Sequence, residues 1–191
     1  MSLSCRRRLN LAIVHQAVAV SAVAVLAGSV TAMDDTSTLN PGDSLSGDLQ
    51  PGDIDRYSVE LGEGYFVFGS ANQLSVDVVV KVFDDDGDLV GEFDGPGRGH
   101  ETFQFDSGSS GTYVIEVASL ENEEGEYEIA LRRAEPIALS PEGRVDQLMA
   151  AYDDPSTPGG IVAVVQGGEL SFARAYGAAD LSYGIPFELN T

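Results

Sequence analysis

The chain has 191 residues and a formal charge of −21, from 10 Lys and Arg against 31 Asp and Glu. Such a field repels a phosphate backbone, so nucleic acid is not among the expected partners. A hydrophobic share of 43 % is ordinary for a folded domain, so the acidity marks a surface, suited to high salt or to solubility, rather than a disordered chain.

Residues 1–32 read as a secretory signal peptide. Arg6, Arg7 and Arg8 form a cationic start, Leu11 to Ala27 is mostly aliphatic, and Val30-Thr31-Ala32 offers a small-residue cleavage site before the first acid, Asp34. Removal after Ala32 would take away three cations and no acid, leaving a protein in the periplasm or outside the cell with no membrane span. The single cysteine, Cys5, would leave with it, which excludes disulfides, cysteine metal sites and a thiol nucleophile from the remainder. His15 would also leave, so His100 would be the only histidine retained.

Residues 39–133 alternate with period two between glycine- and aspartate-rich turns. Tyr57, Val59 and Leu61 alternate with Ser58 and Glu60, Phe103 and Phe105 with Thr102 and Gln104, Tyr113, Ile115 and Val117 with Val114, Glu116 and Ala118, and Tyr127, Ile129 and Leu131 with Glu126, Glu128 and Ala130. Tyr65 to Phe68 is a continuous apolar run, and Val76 to Phe83 is an aliphatic strand expected to be buried on both faces. The spacing predicts a mainly β protein, an antiparallel β-sandwich, with Glu60, Glu116, Glu126 and Glu128 keeping the outer faces charged.

The segments Asp55-Arg56-Tyr57-Ser58-Val59, Gly111-Thr112-Tyr113-Val114-Ile115-Glu116-Val117 and Gly125-Glu126-Tyr127-Glu128-Ile129 resemble a bacterial pre-peptidase C-terminal domain. The resemblance covers about half of the chain. It implies a jelly-roll-like sandwich attached to a secreted hydrolase, with an accessory role such as contact with a cell-wall, peptide or matrix substrate.

Two features of this region invite chemistry. Asp84, Asp86 and Asp88, with Asp85 and Asp94 nearby, are candidate oxygen ligands for calcium, although the spacing is not that of an EF-hand loop. The competing reading is a solvated hairpin turn built on Asp-Gly. His100, in a loop before a strand, has no nucleophile placed beside it and reads as a surface side chain. Ser107-Gly108-Ser109-Ser110-Gly111 lacks the flanking glycines of a nucleophile elbow and reads as a flexible turn.

A linker is expected over 134–140. Ser140, Pro141 and Glu142 then signal a helix start, with Val145, Leu148, Met149 and Tyr152 on one apolar face. Ile161 to Val165 and Glu169 to Tyr176, joined at Gly167-Gly168, predict a β-hairpin. One helix and two strands cannot enclose a core, so the aliphatic strand needs a cover from elsewhere.

Residues 141–191 resemble the opening of the β-lactamase-related serine hydrolases, which include class C β-lactamases, D,D-peptidases and esterases. The likeness is carried by Pro158-Gly159-Gly160-Ile161-Val162-Ala163-Val164-Val165, by Ala175-Tyr176-Gly177 with Asp180, and by Ile185-Pro186-Phe187 with Asn190-Thr191. It implies an incomplete start of an α/β catalytic domain whose Ser-x-x-Lys nucleophile would come later. The only lysine, Lys81, lies in the sandwich, and no Tyr-x-Asn motif occurs, so no catalytic residue is assigned and no cofactor is expected. The resulting expectation is the front portion of a secreted serine hydrolase, inactive by itself. The alternative is a complete, non-catalytic adhesion module.

Overall fold

A computed structural model describes residues 36–95 and 99–190; the expected signal peptide, with Cys5, lies outside them. Nine strands form the first part: β1 (Thr36–Thr38), β2 (Ser44–Leu49), β3 (Ile54–Leu61), β4 (Tyr65–Gln73), β5 (Val78–Phe83), β6 (Leu89–Phe93), β7 (Gly99–Asp106), β8 (Gly111–Ser119) and β9 (Gly125–Pro136). They build one sheet in the order β1-β3-β8-β5-β6 and another in the order β2-β9-β4-β7. All pairings are antiparallel except that of β1 with β3. From β2 onward the chain changes sheet at every connection except the β5–β6 hairpin. The expected jelly-roll-like sandwich is therefore present, and its pairings are mostly distant in sequence.

The period-two residues supply its core. Tyr57, Val59 and Leu61 from β3 and Tyr113, Ile115 and Val117 from β8 face Val67 from β4 and Tyr127, Ile129 and Leu131 from β9. Phe103 is fully buried and lies over Gly69, its partner across the β4–β7 pair. A Cβ on Gly69 would sit 2.2 Å from that ring and 2.7 Å from the Ala130 carbonyl, so the site admits no side chain. On β5, Val78, Val79 and Val80 are all buried, as the unbroken aliphatic run predicts, whereas Lys81 is half-exposed and paired with Glu92 at 3.1 Å.

One polar chain enters this core. The Tyr127 hydroxyl donates to Asp55 Oδ2 at 2.6 Å and lies 2.6 Å from the Tyr57 hydroxyl, which donates to it in turn. Burial pushes both phenols above their ordinary range. Ser107 corrects the expected flexible turn: it is buried, its hydroxyl donates to the Gly62 carbonyl at 2.6 Å, and it accepts from the Tyr65 amide at 2.8 Å. The serine pins two turns together, a constraint invisible in the local pattern.

The second part consists of helix α1 (Pro141–Leu148), a single 3-10 turn (Ala150–Tyr152), the hairpin β10 (Gly160–Gln166) and β11 (Glu169–Tyr176), and the short pair β12 (Ala178–Asp180) and β13 (Ile185–Pro186). The expected break at Ala134 is displaced. Strand β9 runs on to Pro136, because Ala134, Glu135 and Pro136 remain paired with Val67, Phe66 and Tyr65. The connection to α1 is thus only four residues long.

Candidate functional site

Helix α1 begins as its sequence dictates. The Ser140 hydroxyl accepts from the Gly143 amide at 3.1 Å, and Pro141 occupies the first turn, where its missing N–H costs nothing. The expected face is covered only in part: Val145 and Met149 are half-buried and Leu148 and Tyr152 exposed, while Gln147, off that stripe, is 4 % exposed. Gln147 donates to the Pro136 carbonyl at 2.9 Å and accepts from the Ala138 amide at 3.0 Å. One helical turn earlier, Arg144 stacks 5.6 Å from the centre of the Phe66 ring and pairs with Asp106 at 2.5 Å. Phe66 is 1 % exposed yet lies outside the sandwich core, so the helix covers an aromatic on the outer face of the second sheet. Polar side chains hold the helix to backbone groups, which apolar periodicity cannot reveal. The available signal was the run Tyr65 to Phe68, whose lack of alternation means that both faces need cover.

The helix also grips the hairpin. Tyr176 donates to Asp146 Oδ1 at 2.7 Å, and Arg174 pairs with the same carboxylate. Burial pushes the Asp146 carboxyl up, but the hydrogen bonds from Tyr176 and Arg174 and the charges of Arg174 and Arg133 outweigh it and hold the group below the usual carboxylate range. Burial and the bond to Asp146 push the Tyr176 phenol up to about 12. Beyond the hairpin, Gly177 (φ 64°) crosses Gly159: a Cβ on Gly177 would lie 2.8 Å from the Gly159 Cα and from the Pro158 carbonyl. The Pro-Gly and Tyr-Gly signals in the sequence are therefore the two sides of one backbone crossing.

Register divides the hairpin into two unlike faces. Arg174 pairs with Val162, Phe172 with Val164 and Tyr176 with Gly160, and this face carries the contacts to Asp146. On the other face Ile161 pairs with Ala175, Ala163 with Ala173 and Val165 with Leu170, an entirely apolar set. Ile161, Val165 and Leu170 are 45, 64 and 64 % exposed. A contiguous apolar sheet face open to water is the signature of a surface made to be covered.

The other candidates separate cleanly. Asp84 Oδ1 accepts from the amides of Asp86 and Asp88 at 3.1 and 2.9 Å, and the Asp84 carbonyl closes the turn with Gly87 at 3.0 Å. The neighbouring Asp85 carboxylate accepts from the Thr112 amide at 3.3 Å. Asp84, Asp86 and Asp88 thus sit on the hairpin turn, and among the described residues no three His, Cys, Asp or Glu side chains gather to hold a metal ion. His100 lies within β7 opposite Asn72, not in a loop, and is exposed. Among the described residues, no helix is long and apolar enough to cross a membrane.

No protein-family model and no curated protein matches the chain. Among solved structures, the pre-peptidase C-terminal domain of a Bacillus anthracis collagenase matches at TM-score 0.43 and 16 % identity, over 51 % of this chain and 94 % of that one. A periplasmic inhibitor of g-type lysozyme from Aeromonas hydrophila matches at 0.41 and 18 %, over 50 and 95 %. The CspB protease of Clostridium perfringens matches at 0.36 and 20 %, over 46 % of this chain and 24 % of its own. Each likeness is confined to about half of the present chain.

Proposed function

We propose that this chain is the front portion of a secreted serine hydrolase of the β-lactamase-related kind, in which a sandwich resembling a pre-peptidase C-terminal domain serves as an accessory module. The observation that carries the reading is the bare apolar face of Ile161, Val165 and Leu170, on a hairpin whose other face is already held by Asp146. A ribbon anchored to the helix at one end and bare along its aliphatic residues, Val164 included, fits an outer strand pair of a larger sheet. The sequence series from Pro158 to Thr191, which resembles the opening of that hydrolase family, supports the same reading. The sandwich would bring the catalytic domain to a cell-wall, peptide or matrix substrate in the periplasm or outside the cell. Acyl transfer through a serine ester would be the reaction of the whole enzyme, on a β-lactam, peptide or ester.

The test has two parts. Purified chain should leave a chromogenic β-lactam and a chromogenic ester untouched above the buffer blank. The reading frame downstream of the Thr191 codon should soon encode Ser-x-x-Lys. Turnover that a serine-directed acylating agent abolishes would refute the inactivity of this portion, and a stop codon at that position would return the alternative of a non-catalytic adhesion module.

A further inference from the structure

Strand β9 carries a bulge at the point where it meets the second part of the chain. Arg133 pairs with Phe68 and Leu131 with Gly69, so Arg132 is an extra residue with no partner across the sheet. Bulges re-aim side chains and gather beside functional sites. Here Arg132 and Arg133, adjacent in sequence, both line one cleft of about 260 Å³ between the outer face of the second sheet and residues 150–157. His100 from β7 lines it too. Cations are scarce in this protein, yet two of them and its only described histidine converge on one small space.

The opposite wall is acidic. Asp153 pairs with Arg133 at 2.8 Å, and Asp154 lines the same cleft as Arg132 and His100 while its Oδ1 accepts from the Ser156 amide at 2.7 Å. Among the described residues, the side chains of Arg132 and His100 take part in none of the side-chain hydrogen bonds or ion pairs around the cleft, which are made instead by Arg133 with Asp153 and by Asp154 with the Ser156 amide. A bare oxyanion would meet Asp154 as it approached Arg132. A molecule carrying both signs would satisfy both walls, with its carboxylate on the Arg132 guanidinium and its ammonium group on Asp154.

We propose that this cleft binds a small zwitterion of the amino-acid or dipeptide class, carboxylate towards Arg132 and His100 and amine towards Asp154. Ser70 and Thr102, paired across β4 and β7, line the same cleft and offer it neutral hydroxyls. The site does not depend on the hydrolase reading, because it is assembled from the sandwich and from the loop after α1.

Calorimetric and NMR titration of the full chain with L-alanyl-L-alanine tests it. Saturable binding is expected, weakened about tenfold by C-terminal amidation and about tenfold in Arg132→Ala, with N-acetylation and Asp154→Asn each weakening it less. Arg132 is exposed, so its replacement should leave the melting temperature unchanged and separate loss of binding from loss of fold. Absence of saturable binding by wild-type chain, equal binding of the amidated dipeptide, an unaffected Arg132→Ala, or inorganic phosphate binding as tightly as the dipeptide would each overturn the proposal.

Discussion

The sandwich and the segment that follows it use the same residue types to opposite ends. In the sandwich, Tyr113, Tyr127, Phe103 and Ile129 meet across two sheets and are all fully buried. In the segment from Pro141 onward, Ile161, Val165 and Leu170 are as apolar but remain in water; apart from Ala150, Tyr176 and Ala178, the contacts that hold the segment are made by Gln147, which is buried, and by the part-exposed Arg144 and Asp146. One region is held by excluded water and the other by charge and amide hydrogen bonds. Burial of a few polar groups gives a defined geometry but little stability, because each such bond largely replaces one to water. The two regions should therefore differ in cooperativity, in salt sensitivity and in their response to acid.

The largest expected contrast comes from the core. Phe103→Ala should cost about 3–5 kcal/mol of global stability, and Ile129→Ala about 2–5 kcal/mol. Val165→Ala and Leu170→Ala should change it by no more than about 0.5 kcal/mol, since neither side chain is covered. Chemical denaturation of the four variants checks this, and a Leu170→Ala cost equal to that of Ile129→Ala would mean that the hairpin has a core of its own. Next in size, Tyr127→Phe leaves Asp55 and the Tyr57 hydroxyl without their shared partner and should cost about 1–3 kcal/mol.

Acid separates the regions by sign. The lowered Asp146 carboxyl adds stability above its unfolded value and loses it as pH falls through the folded one, so the grip of α1 on the hairpin should fail on acidification below the ordinary carboxylate range. Glu101 in the sandwich behaves in reverse: burial raises its pKa, which the Gly95 amide only partly offsets, so its contribution is full below the unfolded value and is lost as pH rises through the raised one. Glu101→Gln should accordingly raise the melting temperature at pH 8 and change it little at pH 3. A wild-type segment from 141 onward that stayed docked at pH 2.5 while the sandwich unfolded would reverse the assignment. The smallest effect is expected from Ser140→Ala, which removes the N-cap and should lower the helical signal of α1 at a local cost of about 1 kcal/mol, leaving the sandwich transition in place.

How much of this was legible depends on which physics set each feature. Period-two alternation located the inward residues of β3, β8 and β9, because sheet geometry links sequence parity directly to side-chain direction. The helix start at Ser140 and the hairpin at Gly167-Gly168 were equally plain, since caps and turns are local chemistry. Three features were not legible: the burial of Gln147, the bulge at Arg132 and the anchoring role of Ser107. Each depends on a partner far along the chain, such as the Gly62 carbonyl for Ser107. For the helix, periodicity finds the apolar stripe but not how far it is covered: Val145 and Met149 are half-buried, Leu148 and Tyr152 exposed, and the deepest side chain is the polar Gln147.

Native-state hydrogen exchange read strand by strand tests the division most directly. Amides of β8 and β9 should exchange only through global unfolding, while those of β10 and β11 should exchange orders of magnitude faster through local opening. Equal protection of both hairpin strands and the sandwich strands in a monomeric chain would contradict the account, because it would mean that the apolar ribbon already belongs to a closed core.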